Sequence, residues 1–140
     1  MNKKFSKEEI RILTNSLDFS KIEGELIPII TQDQETNEVL MLAFANKAAI
    51  EKSLETGYMH YYSRSRKEIW KKGEISGNFQ EIEEIITDCD NDSILMKVKQ
   101  IGAACHEGYY SCFYRAFSKG KFNEIRNRIF DPKNVYGNKI

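Results

Sequence analysis

Cysteine, proline and tryptophan are scarce in this chain, and net charge is absent. Its 140 residues include three cysteines, two prolines, two histidines and one tryptophan. An odd cysteine count excludes a fully paired disulfide framework, and two prolines leave no Pro-rich linker. The 21 basic and 21 acidic residues cancel, so no global field draws the protein to nucleic acid or a membrane. No apolar run approaches the length needed to span a bilayer. The basic start, Met1-Asn2-Lys3-Lys4, has no apolar stretch behind it, so a secretory signal is not expected. These absences predict a cytoplasmic chain whose thiols stay reduced. One domain over residues 1–140 is expected, burying roughly 68% of the surface exposed by its unfolded chain. No internal repeat or low-complexity tract interrupts it.

What is present is strongly patterned. Ser6-Lys7-Glu8-Glu9 has the form of a capping box, with Phe5 and Ile10 placed as a hydrophobic staple. Ile10, Leu13 and Leu17 continue at helical spacing, so the first helix is predicted over about residues 7–17. Leu26 to Thr31 reads as a strand that Pro28 confines to an edge or a bulge. Thr36-Asn37-Glu38 turns it into a second apolar strand, Val39 to Ala45. Asn46 caps a second helix that Gly57 closes. Tyr58–Ser63, Phe79–Thr87 and Ser93–Ile101 read as further strands, with the polar stretch Arg64 to Asn78 as a loop. The tail, 117–140, is polar, with one short helix suggested by Phe122, Ile125 and Ile129 and ended near Asp131-Pro132. The sum is an α+β domain with a mixed, mostly antiparallel sheet and two main helices.

The chemistry concentrates between residues 88 and 115. In an extended backbone, Asp88, Asp90 and Asp92 would share one face with Cys89 turned to the other. Three close carboxylates repel unless a cation neutralises them, and an oxygen-only set with room for water suits Mg²⁺. The bland alternative is a solvated acidic turn. Cys89, Cys105 and Cys112 supply three sulfurs, and three protein ligands leave zinc an open position for water, the mark of a catalytic centre. The competing view is a closed structural site completed by His60. His106, beside Cys105, is the candidate general base, because imidazole titrates near neutral pH. Ser63, Arg64, Ser65 and Arg66 alternate hydroxyls with guanidinium groups. Lys71, Lys72, Ser76, Gly77 and Arg115 follow, and these are groups that phosphate oxygens accept. Trp70 would stack a base or fill the core.

Taken together, these segments closely resemble the phosphoribosyl-AMP cyclohydrolase family of histidine biosynthesis. The resemblance rests on His60-Tyr61-Tyr62-Ser63-Arg64-Ser65-Arg66, Trp70-Lys71-Lys72-Gly73-Glu74, Ser76-Gly77, Asp88-Cys89-Asp90-Asn91-Asp92, Cys105-His106 and Ser111-Cys112-Phe113-Tyr114-Arg115, and spans about residues 22–116. It implies one Zn²⁺ per subunit on Cys89, Cys105 and Cys112, and Mg²⁺ on Asp88, Asp90 and Asp92. It also implies a homodimer with zinc ligands drawn from both subunits, and a sheet folded into a pseudo-barrel. Ile75, Ala103 and Glu107 depart from the family pattern, which has Thr, Pro and Thr there. The residues after Ala116 are too few for the pyrophosphohydrolase domain that some relatives carry.

The implied reaction is hydrolytic opening of the adenine N1–C6 bond of phosphoribosyl-AMP by zinc-bound hydroxide, with His106 taking the proton. Two 5′-phosphates on that substrate account for local cations in a neutral protein. A zinc nucleoside deaminase would need His-x-Glu and Pro-Cys-x-x-Cys, and the chain has neither. A zinc-stabilised RNA-binding module is disfavoured by the neutral charge.

Overall fold

The computed structural model describes residues 4–137. Its first helix, α1 (Lys7–Ser16), forms where the capping box predicts: the Ser6 hydroxyl accepts from the Glu9 amide at 3.1 Å, and the Glu9 carboxylate accepts from the Ser6 amide at 2.9 Å. Ile10 and Leu17 are buried, and the Phe5 amide donates to the Leu54 carbonyl of the second helix. That helix, α2 (Lys47–Thr56), starts on the Asn46 side chain and ends at Gly57, whose φ of +81° is the left-handed turn that glycine adopts without strain.

Four strands make the main sheet: β1 (Ile27–Asp33), β2 (Val39–Ala45), β5 (Gln80–Thr87) and β6 (Ile94–Gln100), in the order β2-β1-β6-β5. β1 runs parallel to β6, and the other two pairs are antiparallel. Two separate hairpins complete the strands, β3 (His60–Ser63) with β4 (Glu68–Lys71), and β7 (Arg115–Ser118) with β8 (Lys121–Glu124). A third helix, α3 (Pro132–Tyr136), follows. Alternating residues of the main sheet, Ile27 and Ile29, Ile82, Ile94, Met96 and Val98, point into one core with Leu40, Ile50, Leu54 and Met59. Each such burial is worth about 1.5–3 kcal/mol.

A buried polar chain crosses this core. The phenol of Tyr61 donates to Gln80 Oε1 at 2.6 Å, which uses its only proton. Thr31 Oγ1, 2.7 Å away, is therefore the donor to Tyr61. Gln80 Nε2 continues to Gln100 Oε1 at 2.9 Å and to Met41 Sδ.

The α+β class holds, and several details differ from the expectation. Pro28 lies in β1, which is interior rather than an edge. It is accommodated because pairing with β6 begins only at Ile29, so the Pro28 nitrogen faces no ladder partner there. The polar stretch after Ser63 contains β4, including Trp70, because β3 offers a partner register of Tyr61 opposite Trp70. The tail is folded, with a hairpin and α3. The helix suggested by Phe122, Ile125 and Ile129 is absent: Phe122 lies in β8 and all three are exposed. Asp131-Pro132 starts a helix instead of ending one, with Asp131 as N-cap and Pro132 at the first turn. The pseudo-barrel implied by the resemblance is not closed: among the described residues, β2 and β5 remain edges of an open sheet. No helix among them is long and apolar enough to cross a membrane.

Candidate active site

The segment 102–114 carries two of the three cysteines and is stitched to the sheet. Within it, the Ala104 amide donates to the Tyr110 carbonyl at 3.0 Å and the Cys105 amide to the Tyr109 carbonyl at 3.1 Å. The Ser111 hydroxyl donates to the Val39 carbonyl at 2.7 Å, and the Cys112 amide to the Leu40 carbonyl at 2.7 Å. The Tyr110 phenol donates to Asp33 at the end of β1. These ties bring the thiols of Cys105 and Cys112 together. Cys105 is pulled down to about 6, chiefly by the hydrogen bond from Cys112, helped by the Glu107 amide and opposed by burial. Cys112 is pushed up by the same contact. Their contact thus favours losing a first proton from the pair and resists losing a second.

Cys89 is not part of that pair. It is exposed in the turn between β5 and β6, and among the described residues no metal-ligating group includes it. His60 does not join the cysteines either. Its ring is buried, its Nδ1 lies 2.9 Å from the Tyr58 carbonyl, and burial lowers its pKa. The closed Cys₃His site thus finds no support in one chain.

The aspartates do converge, by a different route from the extended strand expected of them. Residues 88–92 form a compact turn with Asn91 at φ +58°. Asp88 Oδ1 accepts from the Asp92 and Ser93 amides at 3.0 and 3.2 Å, and the Ser93 hydroxyl donates to its other oxygen at 2.6 Å. Ligand oxygens of Asp88, Asp90 and Asp92 come within 4.8 Å of one another. The hydrogen bonds hold Asp88 well below the usual carboxylate range, whereas its neighbour pushes Asp92 up. Lys21 Nζ lies 2.6 Å from Asp90 and 3.1 Å from Asp92. Sequence reasoning did not foresee that lysine, which is 69 residues away from Asp90.

A cavity of about 430 Å³ opens beside the thiol pair, lined by Trp70, Lys72, Ser76, His106, Cys112 and Tyr136 among others. Lys72 is buried there, and desolvation lowers its pKa against the attraction of the two cysteines. His106 is exposed at the rim, with Nε2 3.5 Å from Glu107 Oε1. A second, more open groove of about 760 Å³ is lined by Ser63, Arg64, Ser65, Arg66, Phe44 and Trp70. Arg66 and Trp70 border both, so the two form one continuous surface. The tight turn after β3 presents the cations: the Arg66 amide donates to Ser63 Oγ at 3.2 Å, and Arg64 stacks over Phe44 at 4.1 Å. Gly77 and Arg115 line neither hollow. Gly77 closes a turn onto the Gly73 carbonyl, and the Arg115 guanidinium lies over Tyr114 and Phe122.

Tyr136 was not foreseen as a site residue. Its signal was Asp131-Pro132 followed by Gly137, an N-cap, a first-turn proline and a closing glycine around one helical turn.

The donor sets fit the two metals that the resemblance implies. Two adjacent thiols are soft ligands of the kind zinc takes, and Cys89 is an exposed third. Three clustered carboxylates are hard ligands suited to magnesium.

Comparison with known proteins points to one family. The sequence model of phosphoribosyl-AMP cyclohydrolase matches residues 41–114, which include all three cysteines, the aspartate turn and both hollows' central residues. A phosphoribosyl-AMP cyclohydrolase of Methanoregula boonei is 56% identical over 115 residues, covering 82% of this chain and 91% of that protein. One of Methanothrix thermoacetophila is 58% identical, covering 81% of this chain and 92% of its own length. A histidine biosynthesis bifunctional protein of Thermoanaerobacter pseudethanolicus is 56% identical over 79% of this chain, which spans only 51% of that longer relative. On these matches the chain belongs to the phosphoribosyl-AMP cyclohydrolase family.

Proposed function

We propose that this protein hydrolyses phosphoribosyl-AMP, opening its adenine ring at the N1–C6 bond, in the cavity beside Cys105 and Cys112. The observation that carries this reading is the Cys105–Cys112 thiol pair at the edge of a nucleotide-sized hollow, lined by Cys112 together with His106, Lys72 and Trp70. Water adds to C6, the N1–C6 bond breaks, its electron pair returns to N1, and the proton released by the water is delivered there. C6 leaves the ring as a carboxamide. Alkylation by ribose at N1 makes that nitrogen cationic, so C6 is electrophilic before any catalyst acts.

Zinc held by Cys105, Cys112 and a third thiolate would supply Lewis acidity and acidify water. The remaining work falls to the chain. His106, at the rim, takes the proton from the attacking water and passes it on. Trp70 packs against the heterocycle. Arg64, Arg66, Ser63 and Ser65 in the adjoining groove receive one 5′-phosphate, and Lys72 and Ser76 meet the polar part of the nucleotide in the inner cavity. Asp88, Asp90 and Asp92 would hold magnesium.

The third thiolate is Cys89 of a second copy, in a homodimer whose sites are shared. Support comes from the exposure of Cys89 and its separation from the other two thiols within one chain. Gly77 and Arg115, which line neither hollow, make no direct substrate contact within one subunit. The reaction belongs to a cytoplasmic biosynthetic enzyme.

The decisive measurement follows ring opening of phosphoribosyl-AMP by absorbance, before and after zinc is stripped with a chelator. Activity that vanishes on stripping and returns with zinc supports the reading, as does a folded but inactive Cys105→Ala variant. Near-normal turnover by Cys105→Ala would sink it.

A further inference from the structure

The family match ends at residue 114, yet the chain beyond it is bolted to the loop that carries Cys105, His106 and Cys112. The Ile129 amide donates to the Gly108 carbonyl at 2.6 Å, and Tyr109 pairs with Arg128 as an antiparallel bridge. The Tyr109 phenol donates to Glu124, while Arg126 donates to the Phe113 carbonyl and pairs with Glu38 at 2.8 Å. The approach is closest at Gly108. With φ at +95°, a Cβ built there would lie 2.1 Å from the Phe130 carbonyl oxygen, so only glycine allows the two backbones to meet.

This bracing fixes where the last described turn of the chain falls. α3 is capped by Asp131, which accepts from the Lys133 amide at 3.0 Å, and is anchored by the buried Pro132. Tyr136, half-buried and in ring contact with Phe130, ends up in the wall of the inner cavity, with Trp70, Lys72 and His106. No hydrogen bond engages the Tyr136 hydroxyl among the described residues. The hydroxyl is thus uncommitted within the fold, while the ring has one face in the cavity wall and a contact with Phe130.

We propose that Tyr136 is a substrate-binding residue: its ring packs against the purine nucleotide in the inner cavity, whose wall it shares with Trp70. The strap from residue 115 to 137 is thus part of the site and not an appendage. This rests on the proposed reaction only for the identity of the nucleotide. A cavity of about 430 Å³ with two aromatic side chains, a buried lysine and a serine suits a heterocycle carrying a polar sugar phosphate.

The test compares Tyr136→Ala and Tyr136→Phe with the wild type in the full-length, zinc-loaded protein. KM and kcat for phosphoribosyl-AMP are measured, together with zinc content and the affinity for AMP as a turnover-independent probe. Tyr136→Ala should raise KM and weaken AMP binding by at least about five-fold, the low end for losing one base–aromatic contact. Its kcat should stay within about two-fold, with Tyr136→Phe close to wild type. Unchanged KM and AMP affinity in Tyr136→Ala overturns the proposal. So does a fall in kcat that tracks zinc loss, since that would make the strap merely structural. Because AMP binding needs no turnover, a wild type that leaves phosphoribosyl-AMP intact overturns the reaction while the AMP comparison still decides on Tyr136.

Discussion

Tyr61→Phe should cost more stability than the loss of one hydroxyl suggests, because it strands two groups at once. The phenol is fully buried, accepts from Thr31 and donates to Gln80. Its removal leaves the Thr31 hydroxyl without an acceptor and Gln80 Oε1 without a donor. Each stranded group costs about 1–3 kcal/mol, so about 2–4 kcal/mol is expected for the pair after partial relaxation. An unfolding entropy of about 2.1 cal/mol/K per residue over this length converts that to a fall of roughly 7–14 °C in Tm. Adding Thr31→Val removes one of the orphans, so the double variant should be no less stable than Tyr61→Phe alone. Thermal unfolding of the two single variants and the double one reads this directly. Strictly additive losses would refute the directed chain from Thr31 through Tyr61 to Gln80. Tyr61 also stands opposite Trp70, with ring centroids 5.1 Å apart. A loosened Tyr61 should therefore show as a raised KM as well.

Other expectations follow from the site. His106→Ala should lower turnover by about 10²–10⁴, the usual loss when a general base is removed, as measured in the ring-opening assay. Lys21→Ala should tighten Mn²⁺ binding to the aspartate turn by about two- to ten-fold, since the ammonium that competes for Asp90 and Asp92 is gone; a titration followed by the metal's paramagnetic signal reads it. His60 gives a pH signature. Burial lowers its folded pKa from 6.5, so the unfolded chain takes up the proton first. The stability of the neutral form is complete above about pH 6.5 and is lost as pH falls through the folded value, by at most about 1.4 kcal/mol per pH unit. His60→Asn, whose amide can still donate to the Tyr58 carbonyl, should flatten the decline in Tm between pH 7.5 and 5.5.

What could be read from the sequence divides by range. The capping box at Ser6 and Glu9 and the closing glycine at 57 were legible because each rests on residues within one helical turn. Phe122, Ile125 and Ile129 have helical spacing but misled, since no core lies behind them and their exposure is 55–64%. β4 was hidden because its four residues, Glu-Ile-Trp-Lys, show no alternation, and only the register against β3 organises it. The candidate site shows the same division. The aspartates converge as expected, though through a turn stabilised by Ser93 and not through strand alternation. Pairing of Cys105 with Cys112 depends on the stitching of Ser111 and Cys112 to β2, some 70 residues earlier in the chain. The separation of Cys89, the lysine on the aspartates and the tail over the cavity are all long-range facts. Nothing within a window of ten residues encodes them.

The parallel pairing of β1 with β6 has a kinetic consequence. Parallel neighbours cannot be joined by a tight turn, and here Ile29 meets Ile94 across nearly half of the chain. α2, the β3–β4 hairpin and β5 all lie within the loop that this pairing closes. Local pieces should therefore appear early, and the slow step should be the union of the first strand with the sixth, where loop entropy is met before the core rewards it. Truncating Ile29 or Ile94 should then slow refolding more than an equally destabilising change within the β3–β4 hairpin.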